Sequence, residues 1–312
     1  MMIAEIFLSF IVLFGVLTFG VDNYKQFSSP NGFSVENLLE VALEWETTVD
    51  SATLHQQKST LRQEILGMSN VGHVAYSLHN TPYSHSQWIN GNDDDDGLKF
   101  ETHYFNVDEN FDEALDIKIS EGRWFTDDDN TSKVLPVVIN QKLKDELFPN
   151  ESVIGKQIKI SNEYKIIGII ENFKYEGIFA QEPNCSFINF PSITHATGNF
   201  MTHDCKLMVK LKEPISQKNE FAIYQKINST VNNCVFTINS MENKKQETGK
   251  STYMTLVVIS TVSFFLIFNV ALGIFGVLWS NINKRRPEIG LRRAMGATPI
   301  QIIGQILGET VF

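Results

Sequence analysis

Few residues in this chain are spaced for chemistry, and each candidate has a plainer use. Gly249-Lys250-Ser251 ends like a phosphate-binding loop, in which backbone N–H groups and a lysine cradle phosphates. That pattern needs a first glycine where Lys244 stands, and here the tripeptide opens an apolar run rather than following a strand. Asp93 to Asp96 form an acidic tip that could attract calcium, but they lack the ordered spacing of a calcium loop. The 7 histidines are scattered, and His79 and His85 make no zinc-ligand spacing. Cys185, Cys205 and Cys234 match no metal knuckle, and three thiols form at most one internal disulfide. Buried free thiols are the expected state. No serine elbow or paired-carboxylate signature stands out. The sequence therefore predicts no catalytic residue, no metal site and no cofactor, and so no enzyme in this chain.

A different kind of site follows the second apolar run. Pro287 suits the first turn of a helix, and Glu288 favours that positive end. Arg292 and Arg293 fall toward the negative end, and Gly296 can stop the helix in a left-handed cap. Thr298-Pro299-Ile300-Gln301 then reads as a capping box with proline at its first helical position. The spacing predicts a short charged helix that turns into a new helix.

The elements holding that segment are membrane elements. Residues 1–21 are almost wholly apolar, with Glu5 the only charge. About 20 such residues at 1.5 Å each span a hydrocarbon core about 30 Å thick. A cleaved signal peptide fits less well, because the run is long and lacks a small-residue cleavage site. Residues 254–279 contain no charge at all, with Tyr253 and Trp279 near the ends as an aromatic belt would place them. Asn269, near the middle, and Gly273 and Gly276 beyond it suit helix packing; a local hydrogen bond and simple close approach are the plainer reading.

Charge fixes the expected orientation. Lys284, Arg285, Arg286, Arg292 and Arg293 follow the second run, opposed locally only by Glu288, so the positive-inside rule puts this segment in the cytoplasm. The middle then lies outside. No Lys or Arg precedes the first run, so a basic leader is expected ahead of the sequence start. Outside residues 22–250 the five basic residues just named and Glu5, Glu288 and Glu309 give +2, so the chain total of −10 leaves −12 for the middle. An acidic surface argues against nucleic acid as a partner.

Within the middle, Pro30-Asn31-Gly32 reads as a turn. Alternation predicts strands over residues 38–46, 73–78, 99–107, 135–139, 186–190, 206–211 and 234–238, and a hairpin over 156–160 and 164–170. Helices are expected over 58–67, 111–117, 141–148 and 217–230, with an acidic loop at 92–97. The fold class is α+β in a membrane protein. Two complete transmembrane helices, and the start of a third, flank a mixed α/β extracytoplasmic domain. The segments are a first span at 1–21, the outer domain at 22–250, a second span at 253–280, a cytoplasmic connector at 281–298, and the start of a third span at 299–312.

Specific runs resemble a known family. Gly122-Arg123-Trp124-Phe125, Pro136-Val137-Val138-Ile139-Asn140, Leu147-Phe148-Pro149, Ile154-Gly155-Lys156 and the strand Tyr164-Lys165-Ile166-Ile167-Gly168-Ile169-Ile170 resemble the periplasmic domain of MacB-type ABC transporters. Residues 285–297, with Arg286, Glu288, Ile289, Gly290, Arg292, Arg293 and Gly296, are similar to the connector of FtsX-like permeases. The resemblance implies the permease subunit of a mechanotransmission-type ABC transporter for efflux or for lipoprotein or peptide export. A separate cytoplasmic ATPase would move the periplasmic domain through the connector. It implies an inner-membrane, multi-pass protein in a bacterium, dimeric with a second copy or a paralogue, among membrane lipids and with a possible periplasmic adaptor. It also implies four spans, of which this sequence holds two and the start of a third. The alternatives are an FtsX-like signalling protein regulating cell-wall hydrolases and an antimicrobial-peptide sensor.

Overall fold

The computed structural model describes residues 2–78, 80–84, 87–92, 99–131, 134–189, 203–301 and 304. The acidic tip at 93–97, His79, His85 and most of the expected third span lie outside these residues. The chain divides into two units, one of Gln26–Lys250 and one of Met1–Lys25 with Ser251–Phe312.

Helix α1 (Met2–Ser28) precedes strand β1 (Leu38–Trp45), helix α2 (Ser51–Leu66) and strand β2 (Val71–Ser77). Strands β3 (Ile89–Asn92) and β4 (Phe100–Val107), helix α3 (Phe111–Leu115) and strand β5 (Ile119–Gly122) follow. A 3-10 turn over Asp127–Thr131 leads to β6 (Leu135–Asn140), α4 (Gln141–Leu147), β7 (Gln157–Lys159), β8 (Glu163–Ile170) and β9 (Cys185–Asn189). Strand β10 (Asp204–Leu211), helix α5 (Gln217–Thr230) and strand β11 (Cys234–Ser240) close the domain before α6 (Met241–Lys284) and α7 (Arg286–Ala294).

Among the described residues eleven strands form one sheet, with the path β11-β1-β10-β2-β4-β9-β6-β8-β5 and with β3 on β4 and β7 on β8. The first four of that path are mutually antiparallel. They derive from β1–α2–β2 and β10–α5–β11, two split βαβ units of the βαββαβ kind. Everything from β3 to β9 is inserted between β2 and β10. The joint is narrow, since β2 and β4 share only the register pair Ser77 and Val107. β6 is buried along its whole length between parallel β8 and antiparallel β9, which is why it reads as a continuous apolar run.

Three helices, α2, α4 and α5, start at a side-chain cap. The Asp50 carboxylate accepts from Ala52 N at 3.1 Å and Thr53 N at 3.0 Å, opening α2 seven residues before the expected residue 58. Those first turns are polar, so the apolar period shows only at Leu54, Leu61 and Ile65. Asn140 and Ser216 cap α4 and α5 in the same way. Strands β3 and β5 escape the sequence reading because they are four residues each, with no buried alternating face.

The largest difference lies at α6. The apolar run expected to start at 253 belongs to one helix of 44 residues that begins at Met241, directly after β11. At 1.5 Å per residue it is about 66 Å long. Its stretch Met241–Gly273 is long and apolar enough to cross a membrane, and among the described residues it alone meets that test. Val258, Phe264 and Phe265 on it are largely exposed, which a core helix of a soluble protein would not allow. α1 is helical over 27 residues, with Phe7, Phe10, Phe14 and Leu17 exposed.

Candidate functional site

The segment after α6 folds as its residues dictate. Arg285 breaks the helix, Pro287 occupies the first turn of α7, and Glu288 lies in that turn while Arg292 and Arg293 lie in the last. Glu288 and Arg292 pair at 2.6 Å across one helical turn. Such an exposed pair contributes only about 0.3–0.5 kcal/mol. Ala297 N donates to Arg292 O at 3.0 Å and Gly296 N to Arg293 O at 3.1 Å, while Gly296 takes φ +97°. These two bonds make a Schellman cap, which requires the left-handed conformation. Next, Thr298 N donates to Gln301 Oε1 at 3.0 Å and Gln301 N to Thr298 Oγ1 at 3.4 Å, the reciprocal capping box.

No residue of α7 is buried. Leu291 and Met295, four apart, are exposed at 64% and 74%, and a Cβ at Gly290 would meet nothing within 4 Å. The connector is therefore a capped helix without a buried residue, on which Leu291 and Met295 are exposed apolar side chains. Ile289 is half-buried, and Arg286 and Arg293 are exposed.

Within α6, Asn269 Nδ2 donates to Phe265 O at 2.8 Å. Thr261 and Ser263 return their hydroxyls to Val257 O and Ile259 O in the same way. Each polar group is thus satisfied by its own helix. A Cβ at Gly273 or Gly276 would have open space around it.

A second constellation was not foreseen from the sequence. The loop after β8 carries Lys174, a fully buried lysine whose ammonium donates to Gln26 O, Ser29 Oγ at 3.0 Å, Ser29 O at 3.3 Å and Ile178 O at 3.0 Å. Gln26 and Ser29 are where α1 ends, so the cation satisfies terminal carbonyls and complements the helix dipole. Lys174 N also donates to Asn31 O at 2.9 Å, and Phe27 stacks on Phe179 at 5.7 Å. No spacing rule marks a lone Lys174 in Asn172-Phe173-Lys174-Tyr175 as such a residue.

The other chemical candidates resolve simply. Gly249-Lys250-Ser251 lies inside α6, away from any strand-to-helix turn, so it cannot wrap a phosphate. Among the described residues no group of three His, Cys, Asp or Glu side chains could hold a metal ion. The three cysteines are free thiols, Cys185 and Cys205 fully buried and Cys234 half-buried. Burial pushes Cys205 up to about 11 and Cys234 up to about 12, so neither is a reactive thiolate.

Comparison with known proteins follows the same division. Residues 2–220 match the MacB-like periplasmic core domain, and residues 260–312 the FtsX-like permease C-terminal domain. The uncharacterized ABC transporter permease YknZ of Bacillus subtilis is 25% identical over 196 residues, 62% of this chain and 49% of that protein. The macrolide export ATP-binding/permease protein MacB of Aggregatibacter actinomycetemcomitans is 23% identical over 209 residues, 66% of this chain and 32% of that protein. The chain thus spans half or less of the length of these relatives. Among solved structures, the periplasmic region of MacB from Actinobacillus actinomycetemcomitans aligns with TM-score 0.47 at 15% identity, covering 72% of this chain and 97% of that one. The extracellular domain of YknZ aligns with TM-score 0.42 at 14% identity, covering 64% and 99%.

Proposed function

The chain belongs to the MacB-like periplasmic core domain family, and from that premise we propose that it serves as the permease part of an ABC transporter. On this reading α1 and α6 cross the bacterial inner membrane, residues 22–250 stand on the outer side, and α7 lies in the cytoplasm. An ATPase on another subunit hydrolyses ATP and presses on α7, and the movement reaches the outer domain through α6. Two permease copies, or a copy and a paralogue, would work as a dimer in lipid, with room for a periplasmic adaptor. Residues 299–312 would begin a third span.

The observation that carries this reading is continuity. β11 passes without a loop into one 44-residue helix, followed by a basic helix with a Schellman cap and no buried residue. A merely lipid-anchoring segment has no need of a Schellman-capped turn and an open glycine face. Arg286, Glu288, Ile289, Gly290, Arg292, Arg293 and Gly296 would form the ATPase contact, and Asn269, Gly273 and Gly276 would face a neighbouring span. The test is reconstitution in nanodiscs with a purified ABC ATPase encoded beside this chain. Binding and a chain-dependent ATPase rate are expected; neither binding nor any change in rate would reject the proposal.

A further inference from the structure

The first turns of α6 present one face to the outer domain. Met241 is fully buried, Lys244, Lys245, Thr248 and Gly249 are half-buried, and Glu242, Asn243, Gln246 and Glu247 are exposed. That is helical periodicity, so this polar stretch is a docked face rather than a loose linker. At its centre, Lys244 Nζ forms an ion pair with Glu40 of β1, whose carboxylate is 1% exposed. The same carboxylate accepts from Thr81 Oγ1 at 2.7 Å and faces Lys206 of β10 at 3.9 Å. Lys206 Nζ in turn donates to Thr81 Oγ1 at 3.1 Å. One turn further, Gly177 and Ile178 close on the helix: a Cβ at Gly177 would lie 3.3 Å from Thr248 Cγ2, and one at Gly249 would lie 3.5 Å from Ile178 Cδ1.

We propose that the pair of half-buried Lys244 with buried Glu40 is the latch that roots the start of α6 in the outer domain's sheet. Glu40 sits on the strand between β10 and β11, so it joins the helix to both split βαβ units, and through Thr81 to the first residues of the inserted lobe. A buried carboxylate with its ammonium removed is strongly unfavourable, which makes the joint stiff. The latch stands on this geometry. Its use, passing helix movement into the sheet, rests on the permease reading.

The deciding measurement is amide hydrogen exchange on the whole chain in nanodiscs without any ATPase, so it tests the latch whether or not the permease reading holds. Lys244→Met and Glu40→Gln are each expected to speed exchange over residues 244–252 by about tenfold or more, leaving β6 and β8 unchanged. The double variant should add little, because both single changes break one contact. Lys244→Arg should retain most of the protection. Unchanged exchange over 244–252 in either single variant would overturn the latch. A uniform rise across the domain would also overturn it, since Glu40 would then be holding the sheet rather than the helix.

Discussion

Arg123 grips Asp129 with both ends of its guanidinium, Nη1 to Oδ2 at 2.6 Å and Nη2 to Oδ1 at 2.8 Å. The same carboxylate accepts from Thr126 N at 2.9 Å, so one acidic side chain closes the turn that follows β5. Trp124 and Phe125, between the partners, are thereby turned into the core. Burial works to raise the Asp129 pKa, but the hydrogen bonds from Arg123 and Thr126 outweigh it and hold the carboxyl below its usual range. Because the folded-state pKa is depressed, the pair's stabilisation is complete above the unfolded value of about 3.9 and is lost as pH falls through the folded one. With Arg123 half exposed, Asp129→Asn is expected to cost about 1–2 kcal/mol near pH 7. Urea titrations followed by tryptophan fluorescence should show that cost shrinking as pH falls below the unfolded carboxyl value of about 3.9; a cost independent of pH would contradict the assignment.

Two glycines in family-like runs should respond in opposite ways. Gly122 has φ +74°, and a Cβ there would lie 2.2 Å from Ile167 O. Gly122→Ala is expected to destabilise the domain by more than about 2 kcal/mol. Gly290 lies in a helix with open space around it, so Gly290→Ala should be neutral or stabilise α7 by up to about 1 kcal/mol. Denaturation midpoints of the two variants decide the matter.

The connector can be separated from a simple topology signal by charge. Glu288→Lys adds positive charge, so it should insert normally but weaken ATPase coupling, because a reversed charge in a protein contact costs several kcal/mol. Gly290→Trp should act alike by adding bulk to an approach surface. If both variants bind the ATPase and support turnover as the parent does, α7 is not the coupling element.

Topology is tested with single cysteines at Lys118 and Asn283 in a background lacking the native thiols. On sealed membranes of known orientation, an impermeant maleimide should reach only one of the two from a given side. Labelling of both from the same side contradicts the two-span arrangement.

Lys174→Met keeps the length of the side chain and removes its donors. It strands the carbonyls of Ser29 and Ile178, while Gln26 O keeps its bonds from Ser29 N and Oγ, and an expected loss of about 2–3 kcal/mol follows from burying acceptors without partners. Faster amide exchange confined to residues 24–31 and 174–180 would mark the site. An unchanged melting temperature would show that water satisfies those carbonyls.

The sequence by itself determined what depends on neighbours along the chain. The caps at Pro287, Gly296 and Thr298, the apolar run through 254–279, the hairpin at β7 and β8 and the buried run of β6 all follow from local sterics, periodicity and transfer of apolar surface. Strand order was not readable, because pairing β1 with both β10 and β11 joins residues 160 or more positions apart and alternation carries no partner label. Nor did the sequence reveal the polar joints. Glu40, Lys174 and Lys244 look like ordinary surface charges in sequence, and only tertiary packing buries the first two and half-buries the third, because burial of a charge depends on partners delivered from distant segments. The same packing extends α6 back to Met241, where its polar side chains have the domain to lean on.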